Sequence, residues 1–294
     1  MENSLNPLTK YYHQDYPIQS QTEPGLQANL DPIPDAGETS YHGSGQLKGK
    51  KALVTGGDSG IGRATAIAFA REGADVAINY LPEEQTDAQE VKHWIEEAGQ
   101  TAVLIPGDLK SEDFNKELIE TAYQKLHGLD ILALIAGKQQ AEPDITNLST
   151  QNIKETFETN VYPILWTVKA AMKYLKPGAS IITTTSIQAY QPSPFLLDYA
   201  ATKGAIHTLT QALSAQLAKR GIRVNTVAPG PIWTPLQVVG GQPQENIPKF
   251  GQSKPLQRAG QPVELAPVYV FLASDRASYV TGQSYGVTGG DFTN

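Results

Sequence analysis

The chain has 294 residues, with 30 acidic and 23 basic side chains, a formal net charge of −7 and no cysteine. This length allows one large α/β domain or two small ones; the acidic balance argues against a nucleic-acid or anionic-membrane partner, and the absence of cysteine excludes disulfides and thiol nucleophiles. No apolar run approaches the ~20 residues of a membrane span, and Met1-Glu2-Asn3-Ser4 lacks the basic end and apolar stretch of a signal peptide, so a cytoplasmic protein is the expectation.

Residues 1 to about 47 stand apart. They carry Pro7, Pro17, Pro24, Pro32 and Pro34 with little apolar periodicity. Such a segment buries too little apolar area to offset its own ordering entropy. Its Tyr11, Tyr12, Tyr16, Ile18, Leu26, Leu30 and Ile33 leave two readings open, a disordered tail or an extended arm lying on the domain formed by residues 48–294. If it is an arm, we expect it to supply no catalytic group.

From Lys50 onward the pattern alternates. Short apolar runs at 52–54, 76–78, 102–105, 131–135, 180–183 and 223–227 predict strands. Between and after them, helix-length segments are predicted at 60–72, 84–98, 111–126, 150–175, 199–219 and 263–273. Ser111 followed by Glu112 and Asp113 reads as a helix start, and Gly73, Gly99, Gly128 and Gly221 follow helix ends. Continuous apolar strands alternating with helices predict a single doubly wound, Rossmann-like α/β domain, its parallel sheet covered on both faces. The five histidines have no metal-ligand spacing, and no metal site is expected.

Three features carry chemistry. The first strand runs into Thr55-Gly56-Gly57-Asp58-Ser59-Gly60-Ile61-Gly62 and then a helix. A glycine-rich turn there lets backbone N–H groups approach a pyrophosphate at the positive end of the helix dipole. Tyr199 and Lys203 lie four apart, on one helix face, and Ser186 lies 199 − 186 = 13 residues upstream. A cation beside a phenol favours the phenolate and lowers its pKa, which suits acid–base chemistry on an alcohol or carbonyl. Taken alone, Tyr-x-x-x-Lys could equally be a helix-surface pair. Finally, residues 150–175 contain Pro163, which removes a helical hydrogen bond and crowds the carbonyl of Thr159, so a kink is predicted beside Asn160.

Together the Thr55–Gly62 turn, Ser186, Tyr199 and Lys203 resemble the short-chain dehydrogenase/reductase family over about residues 48–294. The proline-rich arm and the stretch from Ser186 to Pro194 are similar to a bacterial branch of general-stress oxidoreductases and NADPH-dependent aldehyde reductases. This resemblance implies a homotetramer, a nicotinamide cofactor (NADP or NAD) and a small carbonyl or alcohol substrate. Position by position, it makes Tyr199 the proton donor, Lys203 its pKa-lowering partner and ribose contact, and Ser186 the group that polarises the carbonyl. It makes Asn160, 199 − 160 = 39 residues before the tyrosine, the auxiliary amide.

The resemblance assigns cofactor contacts to Gly56, Asp58, Ser59, Gly60, Ile61 and Gly62 in the turn and to Asn79 and Tyr80 at the second strand end. Asp108 and Leu109 would meet the adenine, Ala136 and Gly137 the nicotinamide ribose, and Pro229, Gly230, Ile232 and Thr234 the carboxamide and pyrophosphate. One motif departs: Leu134-Ile135-Ala136-Gly137 stands where the family has Asn-Asn-Ala-Gly, and apolar packing is expected to replace the lost amide tie. Residues Gln188, Tyr190 and Trp233, with Gln139 and Phe250, are expected around the carbonyl, under a lid at 236–255.

At the second strand end no acid appears before Glu83, and Arg63 is the one cation placed to attract a 2′-phosphate. Both cofactors are therefore expected to serve, NADPH slightly better. No basic cluster is seen to clamp an anionic substrate, so a neutral aldehyde or ketone is expected. A sugar dehydrogenase, a 3-ketoacyl reductase and a non-catalytic cofactor-binding protein are the alternatives.

Overall fold

The computed structural model describes residues 6–293; residues 1–5 of the arm and Asn294 lie outside the described residues. Seven strands form one sheet: β1 Lys51–Thr55, β2 Asp75–Tyr80, β3 Ala102–Pro106, β4 Ile131–Leu134, β5 Ser180–Thr184, β6 Arg223–Pro229 and β7 Ser284–Val287. Their order is β3-β2-β1-β4-β5-β6-β7, and every pairing is parallel. Seven helices cover it: α1 Gly60–Arg71, α2 Gln85–Glu97, α3 Glu112–Leu126, α4 Thr150–Asn160, α5 Tyr162–Ala171, α6 Leu197–Leu217 and α7 Ala266–Ala273.

Successive strand side chains point to opposite faces and so feed two cores. Ala52 and Val54 pack with Phe69 of α1, Val91 and Ile95 of α2 and Tyr269 of α7. Leu53, on the opposite face, packs with Leu118 and Ile119 of α3, Val168 of α5 and Ile206 of α6. The strand order reverses between β1 and β4, which opens a crevice beyond their C-terminal ends.

Two sequence expectations change. The helix predicted across 150–175 is two helices split at Val161, because Pro163 stands in the first turn of α5, where its missing N–H costs nothing. Strand β7 was not predicted. Three of its four residues are only partly buried and Gly286 is exposed, so they form no apolar run.

Residues 6–47 run over the domain as irregular chain with one short 3₁₀ turn, Gln27–Asn29. Their docking is specific. The Tyr16 ring stacks on Trp233 at 3.9 Å, and the Trp233 indole N–H donates to the Pro32 carbonyl at 2.8 Å. The Gln21 N–H donates to the Val238 carbonyl, and the Val263 N–H to the Asp35 carbonyl. Glu72, at the end of α1, accepts from the backbone N–H groups of Ser44 and Gln46 and from the Tyr41 hydroxyl. These bonds hold its carboxyl below the usual carboxylate range, although burial opposes them.

Candidate active site

At the C-terminal ends of the central strands lies a cleft of ≈ 970 Å³, large enough for an organic cofactor and a small substrate. Its floor starts at the glycine turn. Gly56 takes φ +60°, in the left-handed region. A side chain on Gly62 would meet the Gly56 carbonyl oxygen at 1.7 Å, so only glycine lets α1 begin this close above the turn. The Gly57 N–H donates to the Asn79 carbonyl, which ties the turn to β2. First-turn amides of a helix have no intrahelical acceptor, and here Gly60, Ile61 and Gly62 line the cleft. The Gly60 N–H is taken by Gln27 Oε1 of the arm at 2.7 Å.

Beside this turn sit two carboxyl groups. Asp58 is buried, which pushes its pKa up to about 7; Asp87 adds to the rise, while hydrogen bonds from its own backbone and Ser59, and the Arg63 charge, oppose it. Burial likewise pushes Glu84 up to about 8, helped by the charges of Asp58, Asp87 and Glu83. Arg63 is not available to a ligand. Its Nε donates to Glu38 of the arm and its Nη2 to Glu90 of α2, and it does not line the cleft. The expectation that it attracts a 2′-phosphate is thus corrected.

At the β4 end, the Thr55 hydroxyl oxygen accepts from the N–H groups of Ile135 and Ala136 at 2.9 and 3.3 Å. A hydroxyl of the neighbouring strand therefore makes the tie that apolar packing was expected to supply. Next come Gly137 and Lys138. Asn160 Oδ1 accepts from the Lys138 N–H at 2.7 Å, and its Nδ2 donates to the Lys138 carbonyl at 2.9 Å and to Thr202 Oγ1 at 3.0 Å. Asn160 thus lies under the cleft rather than in its wall, joining the β4 loop to α6.

Tyr199 and Lys203 both project from α6 to the cleft floor, and Ser186, just beyond β5, lines the same floor and acts on the phenol. Lys203 Nζ donates to the Thr184 carbonyl at 2.9 Å and lies 5.3 Å from the Tyr199 ring centroid. Burial dominates both groups. It pushes Tyr199 up to about 12, with the Ser186 hydrogen bond opposing, and Lys203 down to about 8. The lowered phenol pKa expected from the lysine is absent in this state, because the ring loses more to desolvation than its neighbours return. Asp198 Oδ2 accepts from Thr156 and Asn152 of α4, which fixes the start of α6.

The turn, the ends of β2 and β3, Ala136, Gly137, Gln188, Gln139 and the segment from Pro229 through Ile232 to Thr234 all line the same cleft, as does Phe250. Two expected substrate contacts do not. Tyr190 turns its hydroxyl to His207 Nδ1 at 2.9 Å and Ser284 Oγ at 2.7 Å. Trp233 is fully buried against the arm. Each follows a strand end in sequence, but the chain reverses within a few residues and carries the ring to the other side. Conversely, Glu23 and Pro24 of the arm, with Phe195 and Leu196, line the cleft without having been foreseen. Nothing in a proline-rich segment signals where on the domain it docks.

Four lysines stand around the rim, and each has a carboxylate partner: Lys110–Asp108, Lys138–Glu23, Lys249–Asp15 and Lys254–Asp291. Among the described residues, no group of three or more His, Asp or Glu side chains is placed to hold a metal ion, and no helix is long and apolar enough to cross a membrane.

A glycine turn feeding a helix at the sheet's switch point, above a buried Ser–Tyr–Lys cluster, defines an NAD(P)-dependent oxidoreductase, and comparison with known proteins agrees. The family described as "Enoyl-(Acyl carrier protein) reductase" matches residues 56–291. The chain belongs to the short-chain dehydrogenase/reductase family. It is 65% identical over 291 residues to "Uncharacterized oxidoreductase YhxD" of Bacillus subtilis (strain 168), covering 98% of this chain and 97% of that one. It is 48% identical over 282 residues to "General stress protein 39" of the same organism, covering 96% and 98%. A Burkholderia cenocepacia J2315 short-chain dehydrogenase, solved in complex with NADP, superposes with a TM-score of 0.77 at 32% identity, covering 83% of this chain and 98% of its own.

Proposed function

We propose that the protein reduces a small, neutral aldehyde or ketone, with NADPH as the preferred nucleotide. The observation that carries this reading is the buried Ser186–Tyr199–Lys203 cluster opening into the same cleft as the glycine turn. A dinucleotide fits the turn from Gly56 to Gly62, whose tight backbone brings the first amides of α1 to the cleft. The helix amides of Ile61 and Gly62 would hold its pyrophosphate, Asp108 and Leu109 its adenine, Ala136, Gly137 and Lys203 its nicotinamide ribose, and the backbone of Pro229–Ile232 with Thr234 its carboxamide. When bound, it supplies the hydride.

The chain supplies the rest. Ser186 and Tyr199 hold the substrate carbonyl oxygen by hydrogen bonds, and Tyr199 delivers its phenolic proton to that oxygen as negative charge develops. A phenol pKa pushed up to about 12 keeps the proton in place until then. Lys203, still mostly charged at neutral pH with its pKa near 8, stabilises the phenolate left behind. Asn160 acts through others, fixing the Lys138 backbone and Thr202. Leu196, Phe195, Val239 and Phe250 supply apolar walls, and the paired rim lysines leave no free cation there to select an anion. Exposed Ile153, Tyr162, Leu165 and Leu197 on α4, α5 and α6 support a homotetramer built through these helices.

The test is a steady-state panel of neutral aldehydes, reducing sugars and a 3-ketoacyl thioester with NADPH and with NADH. Highest kcat/KM on neutral aldehydes with NADPH is expected. Turnover confined to the sugar or the thioester would overturn the reading.

A further inference from the structure

The cleft rim takes two of its counter-charges from a distant part of the chain. Lys138 Nζ lies 2.7 Å from both carboxylate oxygens of Glu23, a residue 115 positions earlier. Its second carboxylate, Glu155, is farther away at 3.6 Å. Lys138 stands beside the proposed reaction centre. Its backbone is hydrogen-bonded at both N–H and carbonyl by Asn160, and it follows Gly137, where an added Cβ would lie 3.6 Å from Lys203 Nζ. Its side chain is only 15% exposed, so its charge is less screened than a surface lysine's. Nearer the outside, Lys249 pairs with Asp15, also of the arm, at 2.7 Å. The other two rim lysines pair with Asp108 and Asp291, both outside the arm.

We propose that the arm determines substrate charge: Glu23, seconded by Asp15, neutralises the lysines that would otherwise recruit an anionic carbonyl compound. This rests on the carbonyl-reducing function proposed above. Glu23 is held for this task by more than the ion pair. The adjoining Pro24 also lines the cleft, a Cβ on Gly25 would press on Val239 at 2.5 Å, and Gln27 is fixed on Gly60. The carboxylate therefore sits in a wall, not on a loose tail. An entering carboxylate meets a lysine already satisfied, with Glu23 and Glu155 beside it, and is repelled. With Glu23 made neutral, Lys138 keeps only its more distant partner, the net negative charge of the trio is lost, and the ammonium has donors free for an anion.

The experiment compares isosteric probes that differ in charge. Calorimetry measures benzoate against benzamide binding in wild type, Glu23→Gln, Asp15→Asn/Glu23→Gln and Glu23→Gln/Lys138→Met. Steady-state reduction compares 4-carboxybenzaldehyde with 4-formylbenzamide in the same proteins. Wild type is expected to favour the neutral probes. Glu23→Gln should shift the anion-to-neutral ratio toward the anion by about three- to tenfold, through KM in the kinetic arm, and 0.5 M salt should erase most of the gain. Adding Asp15→Asn should extend the gain and Lys138→Met should reverse it, while Ile33→Ala, an exposed arm residue, should leave the ratio alone. If wild type reduces neither aldehyde, the proposed function fails and the binding ratio still decides the arm's role. A ratio unmoved by Glu23→Gln, including no benzoate binding up to about 50 mM, overturns the inference.

Discussion

The floor of the cleft and its rim are built by opposite means. The floor is made of strand ends and first helical turns: Gly56 to Gly62 after β1, Ala136 and Gly137 after β4, Ser186 after β5, Tyr199 and Lys203 in α6. Each position follows from local backbone geometry, so its residue type is dictated where it stands. The rim is assembled by a segment with almost no secondary structure, fastened by side chains such as Tyr16 on Trp233, Gln27 on Gly60 and Glu23 on Lys138. On the reading proposed above, the floor carries the chemistry and the rim tunes what reaches it. Changes to the floor should therefore cost rate or cofactor, whereas changes to the rim should cost stability or selectivity.

Replacing Tyr199 by Phe gives the largest expected effect. The ring and its packing stay, but the transferable proton is lost, so turnover should fall by a factor on the order of 10² or more. Cofactor affinity, read by fluorescence titration of NADPH, should move less than threefold. Full activity in the folded variant would place the acid elsewhere.

Next comes the glycine turn. Gly62→Ala forces a methyl group against the Gly56 carbonyl, which the geometry puts at 1.7 Å. The backbone must shift, and the first-turn amides of Ile61 and Gly62 shift with it. Cofactor Kd should rise by about tenfold or more, which is ~1.4 kcal/mol. Calorimetric titration checks this, and an unchanged Kd would mean that the turn does not hold the pyrophosphate.

The same contrast explains what the sequence discloses. Six of seven strands are legible because parallel strands buried on both faces are continuous apolar runs; β7, short and half-covered, is not. The grouping of Ser186, Tyr199 and Lys203 in one cleft is legible because their spacing reflects one strand end and one helix. Tyr190 and Trp233 are misread because sequence places them near the site while tertiary packing turns both rings away. Arg63 is misread for a related reason: its partners Glu38 and Glu90 are 25 and 27 residues distant. Glu23 could not be found at all. Its place beside Lys138 exists only once the arm is docked.

Deleting residues 1–34 probes the rim as a whole. It uncovers Trp233, removes the buried Tyr16 and Leu30, and strips Gly60 and Lys138 of partners. Trp233 emission should move to the red, and the melting temperature should fall by roughly 5 °C or more, since each kcal/mol shifts it by about 2–4 °C in a chain of this size. Turnover per folded site at saturating substrate should change far less than in Tyr199→Phe. A truncated protein with unaltered melting and tryptophan emission would show that the arm contributes nothing to the folded state.

The smallest effect is one of pH on cofactor choice, where floor and rim meet. Asp58 and Glu84 line the cleft beside the glycine turn and just after β2, on the side proposed for the adenosine ribose, and burial raises both, to about 7 and about 8. Below these values the neutral carboxyls do not repel a 2′-phosphate; above them both are ionised and do. From pH 7 to 9 the phosphate's own charge is nearly constant, its second pKa being about 6. The ratio of KM for NADPH to KM for NADH should therefore rise about two- to fivefold across this window, a modest change because water penetrates the cleft mouth. Glu84→Gln, which keeps an acceptor for the Leu81 N–H, should flatten the rise. A ratio constant from pH 7 to 9 in the wild type would mean that these carboxyls face away from the 2′ position.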